Sequence, residues 1–260
     1  MIKLIIFSRK RPMQLDTLLK SMPSWIKPHV IIKFDEDYKQ NYYNVLDTYK
    51  CAFLEESLFY EDVEHFLTNH YYHMNDSNYV GFCTDDCVFY RTPEEVPYLK
   101  DHETFSFRYG LNTTLQDHTR NYYQPSLNLY SDKGYIEWST NNYQYPLNYA
   151  YSLACDGHVY THNKLLALFK RIHFKNSNEL EGKLQSFRHE VNIIKAHKQS
   201  SLVCLPINNL SNYTTAGHTY QYSVETLNEL FTQNKRINIK KTFENIKIIG
   251  SHQELPLIIE

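Results

Sequence analysis

The first ninety residues alternate apolar runs with segments of helical spacing, and this alternation most limits the folds open to the chain. Apolar runs predict buried strands at 2–8, 30–34, 51–54 and 79–83. Helical spacing predicts helices at 12–22, 38–47 and 61–73. Pro23 and Pro28 are expected to interrupt the chain before the second strand. Strands that alternate with helices predict an α/β fold with a mostly parallel sheet flanked by helices.

The alternation weakens after residue 90, so we expect an irregular C-terminal half. The remaining signals are a strand at Thr104–Arg108, helices at 162–172, 179–196 and 223–232, and a strand at 201–205. The chain has no internal repeat and no clear linker, which favours a single domain over 1–235. A basic, then apolar tail at 236–260 is interpreted as either an edge strand or a segment that binds a partner.

Glycine is scarce, and its spacing excludes two common phosphate-binding motifs. The chain has 7 glycines, whereas average usage would give roughly 18. No two of them stand close together. A Walker loop and a G-x-G-x-x-G dinucleotide motif both need clustered glycines. Any phosphate must therefore be held in another way.

Charge and hydropathy argue against further classes of protein: those that bind nucleic acid or lipid in general, and those that span a membrane. The 27 Lys and Arg against 29 Asp and Glu give a net charge of −2, so we expect no general binding to nucleic acid or anionic lipid. No apolar run approaches the length of a transmembrane segment. The first apolar run is too short for a signal peptide. We therefore expect a soluble, cytoplasmic protein with no transmembrane segment.

The five cysteines have no C-x-x-C spacing. Cys83 and Cys87 fall in a predicted strand and its turn, which is a poor arrangement for zinc. Free thiols in a reducing compartment are the expected state.

Two acids, Asp85 and Asp86, follow the apolar strand at 79–83. Ligands of open α/β sheets bind beyond the carboxyl ends of the strands. Carboxylates there suit Mg²⁺ or Mn²⁺, which commonly bridge a carboxylate and substrate phosphates. The alternative is a simple turn.

A second polar segment, Ser8-Arg9-Lys10-Arg11-Pro12, joins the first strand to its helix. Cations and helix amides at this place would suit a phosphate or a nucleotide. Asp35 follows the second strand at the same predicted edge, where it could accept a hydrogen bond from a ribose or base. The alternatives are a solvated basic turn and a solvated acidic loop.

Three further groups stand later in the chain. Arg108 follows a predicted strand and could hold a diphosphate or an acceptor carboxylate in a bidentate manner, or form an internal ion pair. Asp156 lies in an Asp-Gly-His turn, where His158 could touch an acceptor or a phosphate. Glu181 lies at the start of a helical stretch, where an acid often only complements the helix dipole.

These segments together resemble a GT-A-type glycosyltransferase over about residues 1–235. The resemblance rests on the Ser8–Pro12 segment with its helix, the Asp85-Asp86 pair after an apolar strand, and four later segments. These four are Phe105–Asn112, Cys155–Tyr160, Asn178–Glu181 and Leu205–Asn208. The acidic motif reads Thr84-Asp85-Asp86-Cys87, which lacks the strict D-x-D of the family.

The resemblance implies a GT-A-like, Rossmann-like sheet and transfer of a sugar from a nucleotide-sugar donor to a hydroxyl acceptor. Residues 1–90 would form the nucleotide-binding half and 91–235 the acceptor half. The implied roles fall into three groups. Asp86 and the late His218 would bind Mn²⁺ or Mg²⁺; Ser8, Arg9, Arg11, Asp35, Asp85, Arg108 and His158 would bind the nucleotide-sugar; and Glu181 and Asp156 would be catalytic, with Glu181 as the base.

Two alternatives remain from the sequence. A nucleotidyltransferase shares the sheet edge and the paired acids, but it usually has a glycine-rich loop after the first strand. A non-catalytic nucleotide- or sugar-binding protein would explain the imperfect acidic motif.

Overall fold

A computed structural model describes residues 1–68, 79–116, 134–210 and 221–260. Its strands are β1 (Ile2–Arg9), β2 (Ile26–Lys33), β3 (Ala52–Glu55), β4 (Tyr79–Thr84), β5 (Cys87–Phe89), β6 (Glu103–Ser106), β7 (Tyr135–Ser139), β8 (His158–Thr161), β9 (Ile193–His197) and β10 (Leu202–Cys204). Its helices are α1 (Pro12–Ser21), α2 (Glu36–Tyr49), α3 (Phe59–Thr68), α4 (His162–Phe169), α5 (Ser177–Gln185), α6 (Val224–Thr232) and α7 (Ile239–Phe243).

Eight of these strands form one mixed sheet in the order β3-β2-β1-β4-β8-β6-β9-β7. The neighbours β3, β2, β1 and β4 are parallel, as are β6 and β9, whereas β8 and β7 run antiparallel to their neighbours. β5 and β10 form a separate antiparallel pair. The prediction of a mixed, mostly parallel α/β sheet flanked by helices is confirmed.

β1 is the centre of the core because both of its faces are buried. Leu4 and Ile6 belong to an apolar cluster that includes residues of α1 and α2. Ile5 and Phe7 belong to a second cluster, with residues of α3, α4 and α5. Successive side chains of a strand point to opposite faces. A continuous apolar run therefore fits a strand covered by helices on both sides.

Two sequence-based predictions of elements were wrong. Pro28 lies inside β2 rather than before it; β3 pairs with β2 only from His29 onwards, and proline is tolerated along such an unpaired edge. The helix predicted at 179–196 ends at Gln185, and Ile193–His197 forms β9. This segment is held as a strand by pairing on both sides, with β6 and β7.

The segment 236–260 packs against the rest of the chain. Ile237, Ile248, Leu255 and Leu257 are buried members of the same apolar cluster as α1. Backbone bridges join Leu115 to Gly250 and Ile237 to Ile259. Across the described ranges, no helix combines the length and the apolar character that crossing a membrane requires.

Candidate functional site

The candidate site lies at the edge of the sheet where the parallel strands end. β1 and β4 pair in register up to Phe7 and Thr84, so Asp85 lies beside the end of β1. β8 is antiparallel to β4 and begins opposite Phe82, so the turn before β8 lies at the same edge. β6 ends opposite the start of β8. The sheet therefore brings together polar residues that are far apart in the sequence.

Asp85 is buried at this edge, and both of its carboxylate oxygens accept hydrogen bonds. Ser8 Oγ donates to Oδ2 at 2.8 Å, and the backbone N–H of Arg9 donates to the same oxygen at 3.2 Å. Arg11 Nη1 donates to Oδ1 at 3.1 Å. The Tyr42 hydroxyl lies 2.8 Å from Ser8 Oγ and accepts from the backbone N–H of Arg11 at 2.9 Å. These contacts hold the loop between β1 and α1 against the end of β4.

Arg11 links both acids to the C-terminal half of the chain. Its Nη1 lies 3.1 Å from Asp85 Oδ1 and 3.1 Å from Asp86 Oδ2. Its Nε and Nη2 donate to the side-chain and main-chain oxygens of Asn208, each at 2.7 Å. The Arg11 side chain is 11% exposed and that of Asp85 is 4% exposed. The rigid, planar guanidinium thus offsets one of the two negative charges of the acid pair from within the chain.

Burial raises the pKa of the Asp85 carboxyl to about 6. Burial penalises the charged form of an acid. The charge of Arg11 lowers this pKa, and the charge of Asp86 raises it. Because about 6 is still below neutral pH, Asp85 is ionised there and forms its ion pair with Arg11.

The side chains of Asp85 and Asp86, as they lie, do not fit the Mn²⁺ or Mg²⁺ ion expected from the sequence. Oδ2 of Asp85 already accepts two hydrogen bonds, and its Oδ1 accepts one from the cationic Arg11. The Arg11 guanidinium lies where a dication would bridge the two carboxylates. Arg11 already offsets one of the two negative charges, and it would repel a dication at that distance. The second expected ligand, His218, lies outside the described residues.

Arg9 and Asp35 form the outer part of this site. Arg9 Nε lies 3.5 Å from Asp35 Oδ2, and Lys10 Nζ lies 4.0 Å from Asp35 Oδ1. The Arg9 side chain is 49% exposed and that of Asp35 is 33% exposed. This cluster faces solvent beside the start of α1, so its cations are accessible to an anionic ligand.

Asp156 lies in the turn before β8 and is the centre of a second group of contacts. Arg108 Nη1 donates to its Oδ2 at 3.0 Å, and Thr84 Oγ1 donates to its Oδ1 at 3.0 Å. His252 Nε2 lies 3.5 Å from Oδ2. Burial by itself would raise the pKa of Asp156, but the contacts with His252, Arg108 and Thr84 hold it below its ordinary value. Arg108 therefore forms an internal ion pair with Asp156, which was one of the two alternatives for this residue.

Gly157 makes the turn possible. Its φ is +69°, and a Cβ at this position would lie 2.1 Å from Leu202 Cδ2. A residue with a side chain is disfavoured at such a φ. The Asp-Gly sequence therefore fixes where the Asp156 carboxylate is placed.

His158 is fully buried on β8, and its Nδ1 lies 3.1 Å from the Ser152 carbonyl oxygen. Its ring packs edge-on against Tyr109, with the centroids 5.2 Å apart. Burial, together with the charge of Arg108, lowers the pKa of His158 to about 3. His158 is therefore neutral at physiological pH.

Glu181 lies in the first half of α5, and both of its oxygens accept hydrogen bonds. The Tyr151 hydroxyl donates to Oε1 at 2.7 Å, and the backbone N–H of Cys155 donates to Oε2 at 2.7 Å. Burial, followed by the charge of Asp156, raises the pKa of Glu181 above its ordinary value. The residue remains partly exposed. A carboxylate in this setting has the properties of a proton acceptor.

Hydrogen bonds and chain neighbours connect the acidic residues along the sheet edge, from Asp85 to Glu181. Asp85 follows Thr84, whose hydroxyl binds Asp156. Asp156 follows Cys155, whose N–H binds Glu181. We call this connected set of residues the acid row. It also includes Asp86, Arg11 and Arg108.

Beside Asp85 and Asp86 lies a shallow recess with no room for a ligand, lined also by Gln14, Thr17, Val88, Leu205, Ile207 and Ile237. Ligand pockets commonly measure roughly 300–1,000 Å³. A nucleotide-sized molecule would therefore have to lie along the open edge rather than inside this recess.

Four site residues were not found from the sequence: Tyr42, Tyr151, Asn208 and His252. Asn208 belongs to a segment that carries the family resemblance, and this was the one available signal. The other three carry no motif. They reach the edge through the packing of α2, the segment before β8 and the C-terminal tail.

No family model matches the sequence, and no curated protein matches it. Among solved structures, S. aureus TarS aligns with 90% of this chain and 40% of its own, at 14% identity and a TM-score of 0.43. Residues 1–349 of the same protein align over 77% of this chain and 59% of their own, at 13% identity and a TM-score of 0.43. The 4-diphosphocytidyl-2C-methyl-D-erythritol synthase of Anaerococcus prevotii aligns over 89% and 96%, at 10% identity and a TM-score of 0.41.

This chain thus spans less than two thirds of either TarS chain. At these TM-scores the likenesses carry no argument about activity.

Proposed function

We propose that this protein is a glycosyltransferase that moves a sugar from a nucleotide-sugar donor to a hydroxyl acceptor. The observation that carries the proposal is the acid row, in which carboxylates and guanidinium groups lie in contact along one sheet edge. Sugar transfer needs cations near the departing diphosphate and a carboxylate near the acceptor hydroxyl. The acid row and the adjoining Arg9 supply both kinds of group.

In this proposal the donor diphosphate binds beside the start of α1. Arg9 and Lys10 are the accessible cations there, and the amides at a helix start attract anions. Asp35 accepts a hydrogen bond from the ribose or the base. Arg11 and Asp85 hold the loop in place, and no step is assigned to a metal ion at Asp85 and Asp86.

Glu181 is proposed as the base. The acceptor oxygen attacks the anomeric carbon, the bond from that carbon to the nucleoside diphosphate breaks, and Glu181 takes the hydroxyl proton. Its raised pKa suits this task, since proton transfer is most efficient when the pKa is near the working pH. Asp156 holds Arg108 at the same edge, where the guanidinium stabilises developing negative charge.

The test is release of nucleoside diphosphate from a panel of nucleotide-sugars. We expect slow hydrolysis of at least one donor by the wild type. Glu181→Gln should lower that turnover by about 10²–10⁴-fold and leave the donor-induced thermal shift in place. Glu179→Gln is the matched control, because Glu179 lies on the same helix and, among the residues that the structure describes, its carboxylate accepts only from the backbone N–H of Lys175.

Three outcomes would overturn the proposal. Absence of both turnover and thermal shift with every nucleotide would remove a nucleotide site altogether. Release of inorganic diphosphate from a nucleoside triphosphate and a sugar phosphate would instead establish the nucleotidyltransferase. A thermal shift without turnover in the wild type would establish a binding protein.

A further inference from the structure

A pair of cysteines lies next to the acid row, on the small sheet. Cys87 on β5 and Cys204 on β10 are direct partners across the two strands. Their Sγ atoms are 2.9 Å apart. Both residues are buried, and both are free thiols. The sequence did not single them out as a pair, because 116 residues lie between them.

A carboxylate completes this cluster. One ligand atom each from Cys87, Cys204 and Asp156 lies within 4.8 Å of the others. The C-terminal tail adds an imidazole on the same side, since His252 Nε2 lies 3.5 Å from Asp156 Oδ2. The tail is held there by the backbone, because the N–H of Cys204 donates to the Ser251 carbonyl at 2.9 Å.

We propose that Cys87, Cys204 and Asp156 bind a thiophilic divalent cation, Zn²⁺, and that the fourth position of the metal stays open, as it does in zinc sites with three protein ligands. Thiolate, imidazole and carboxylate are the ligand types that zinc takes, in tetrahedral geometry. The two sulfur atoms must separate by roughly 0.9 Å to reach zinc–sulfur bonds of about 2.3 Å.

The surroundings of Asp156 support a ligand role. Metal-binding carboxylates are commonly held by hydrogen bonds from neighbouring residues, and Arg108 and Thr84 donate one to each oxygen of Asp156. Two thiolates and one carboxylate would be costly in a buried place without positive charge. A dication and the Arg108 guanidinium balance them. The site shares Asp156 and Arg108 with the acid row, whereas neither thiol is assigned a step in sugar transfer, so the two cysteine variants test the metal site alone.

The test uses Co²⁺ as a spectroscopic probe for zinc. Full-length protein is stripped with a chelator under a phosphine reductant and then titrated with Co²⁺. We expect one equivalent to bind, with a sulfur-to-cobalt charge-transfer band in the near ultraviolet that one equivalent of Zn²⁺ removes. Elemental analysis of protein purified without chelator should find one zinc per chain.

Variants locate the site. Cys87→Ser and Cys204→Ser should each lose at least half of the band, and Asp156→Asn should weaken Co²⁺ binding at least ten-fold. Cys51→Ser is the matched control, because Cys51 is also a free thiol but is only half-buried and lies before β3; its spectrum should equal that of the wild type. Circular dichroism confirms that each variant is folded.

Two results would overturn this inference. The first is the absence of the charge-transfer band from reduced wild-type protein, or its persistence in both cysteine variants. The second is a metal-free protein in which mass spectrometry finds a disulfide between Cys87 and Cys204, which would make the pair a redox couple instead.

Discussion

At the scale of single residues, Arg11 affects both the stability of the candidate site and the way in which the site would bind a ligand. The sequence places it in a basic segment that resembles a phosphate-binding loop. In the structure its guanidinium is committed to Asp85, Asp86 and Asn208. A buried ion pair becomes strongly destabilising when one partner is removed. Arg11 is therefore needed for the site to form, whatever ligand the site binds.

Replacing Arg11 tests this role. Arg11→Met leaves two carboxylates without their cation, so we expect the free energy of unfolding in urea to fall by about 3–5 kcal/mol. Arg171→Met is the control, because Arg171 forms a more exposed ion pair with Glu190 and should lose less than about 1 kcal/mol. Equal losses in the two variants would contradict the structural role of Arg11.

The raised pKa of Asp85 predicts a pH dependence of stability. The folded protein holds the proton up to a pKa of about 6, whereas an unfolded aspartate releases it near pH 3.9. The folded state therefore binds more protons between these values, and the stability from this group is lost as pH rises from about 4 to about 6. Urea unfolding of wild type and Asp85→Asn across this range should show the extra decline only in the wild type. Parallel curves would show that Asp85 does not titrate there.

The position of Arg11 also leads to a prediction about whether nucleotide binding depends on Mn²⁺. Because Arg11 already lies between the two carboxylates, we expect the thermal shift caused by a nucleoside diphosphate to be the same with and without added Mn²⁺. A shift that appears only with Mn²⁺, and that Asp86→Asn abolishes, would support the metal site expected from the sequence.

At the scale of elements, strand direction decides which residues meet. β8 is antiparallel to β4, so its preceding turn lies beside the carboxyl end of β4. This single reversal places Asp156 next to Thr84. Gly157 makes this turn possible, since it combines a positive φ with close packing against Leu202.

Two glycines give a matched pair of variants. Gly157→Ala should lower the free energy of unfolding by about 1–3 kcal/mol because the new side chain is strained at this φ. Gly182 lies on α5, and a Cβ added there would have nothing within 4 Å. Gly182→Ala should therefore raise the free energy of unfolding by about 0.5–1 kcal/mol. Chemical denaturation measures both, and a neutral Gly157→Ala would contradict the role of the turn.

At the scale of the whole molecule, the C-terminal tail belongs to the core and also reaches the site. It contributes buried apolar side chains next to those of α1 and places His252 beside Asp156. Unfolding should therefore be a single transition that includes the tail.

Leu255→Ala tests this integration. Leu255 is 5% exposed, and the loss of such a buried leucine typically costs about 2–5 kcal/mol. Ile258→Ala, at a position 41% exposed, should change stability by less than about 0.5 kcal/mol. If Leu255→Ala alters neither the midpoint nor the slope of urea unfolding, the tail is not part of the cooperative core.

Much of the N-terminal half could be predicted from the sequence because its signals are local. The apolar run of β1, Pro12 at the start of α1 and the apolar run before Asp85 each act over a few residues. The segment Ile193–His197 could not be predicted, since its helix-like spacing was overridden by pairing with β6 and β7. Likewise, nothing near Cys87 indicates that Cys204 lies opposite.

The sequence by itself determined the α/β layering, the exclusion of a glycine-rich phosphate loop, and the strand ends that carry Asp35, Asp85 and Asp86. Only the tertiary structure decided what these acids contact. It placed Arg11 between Asp85 and Asp86, and it joined Asp156 to Arg108. The reason is physical: strand and helix patterns are set by neighbouring residues, whereas the partner of a buried charge is set by how distant segments pack.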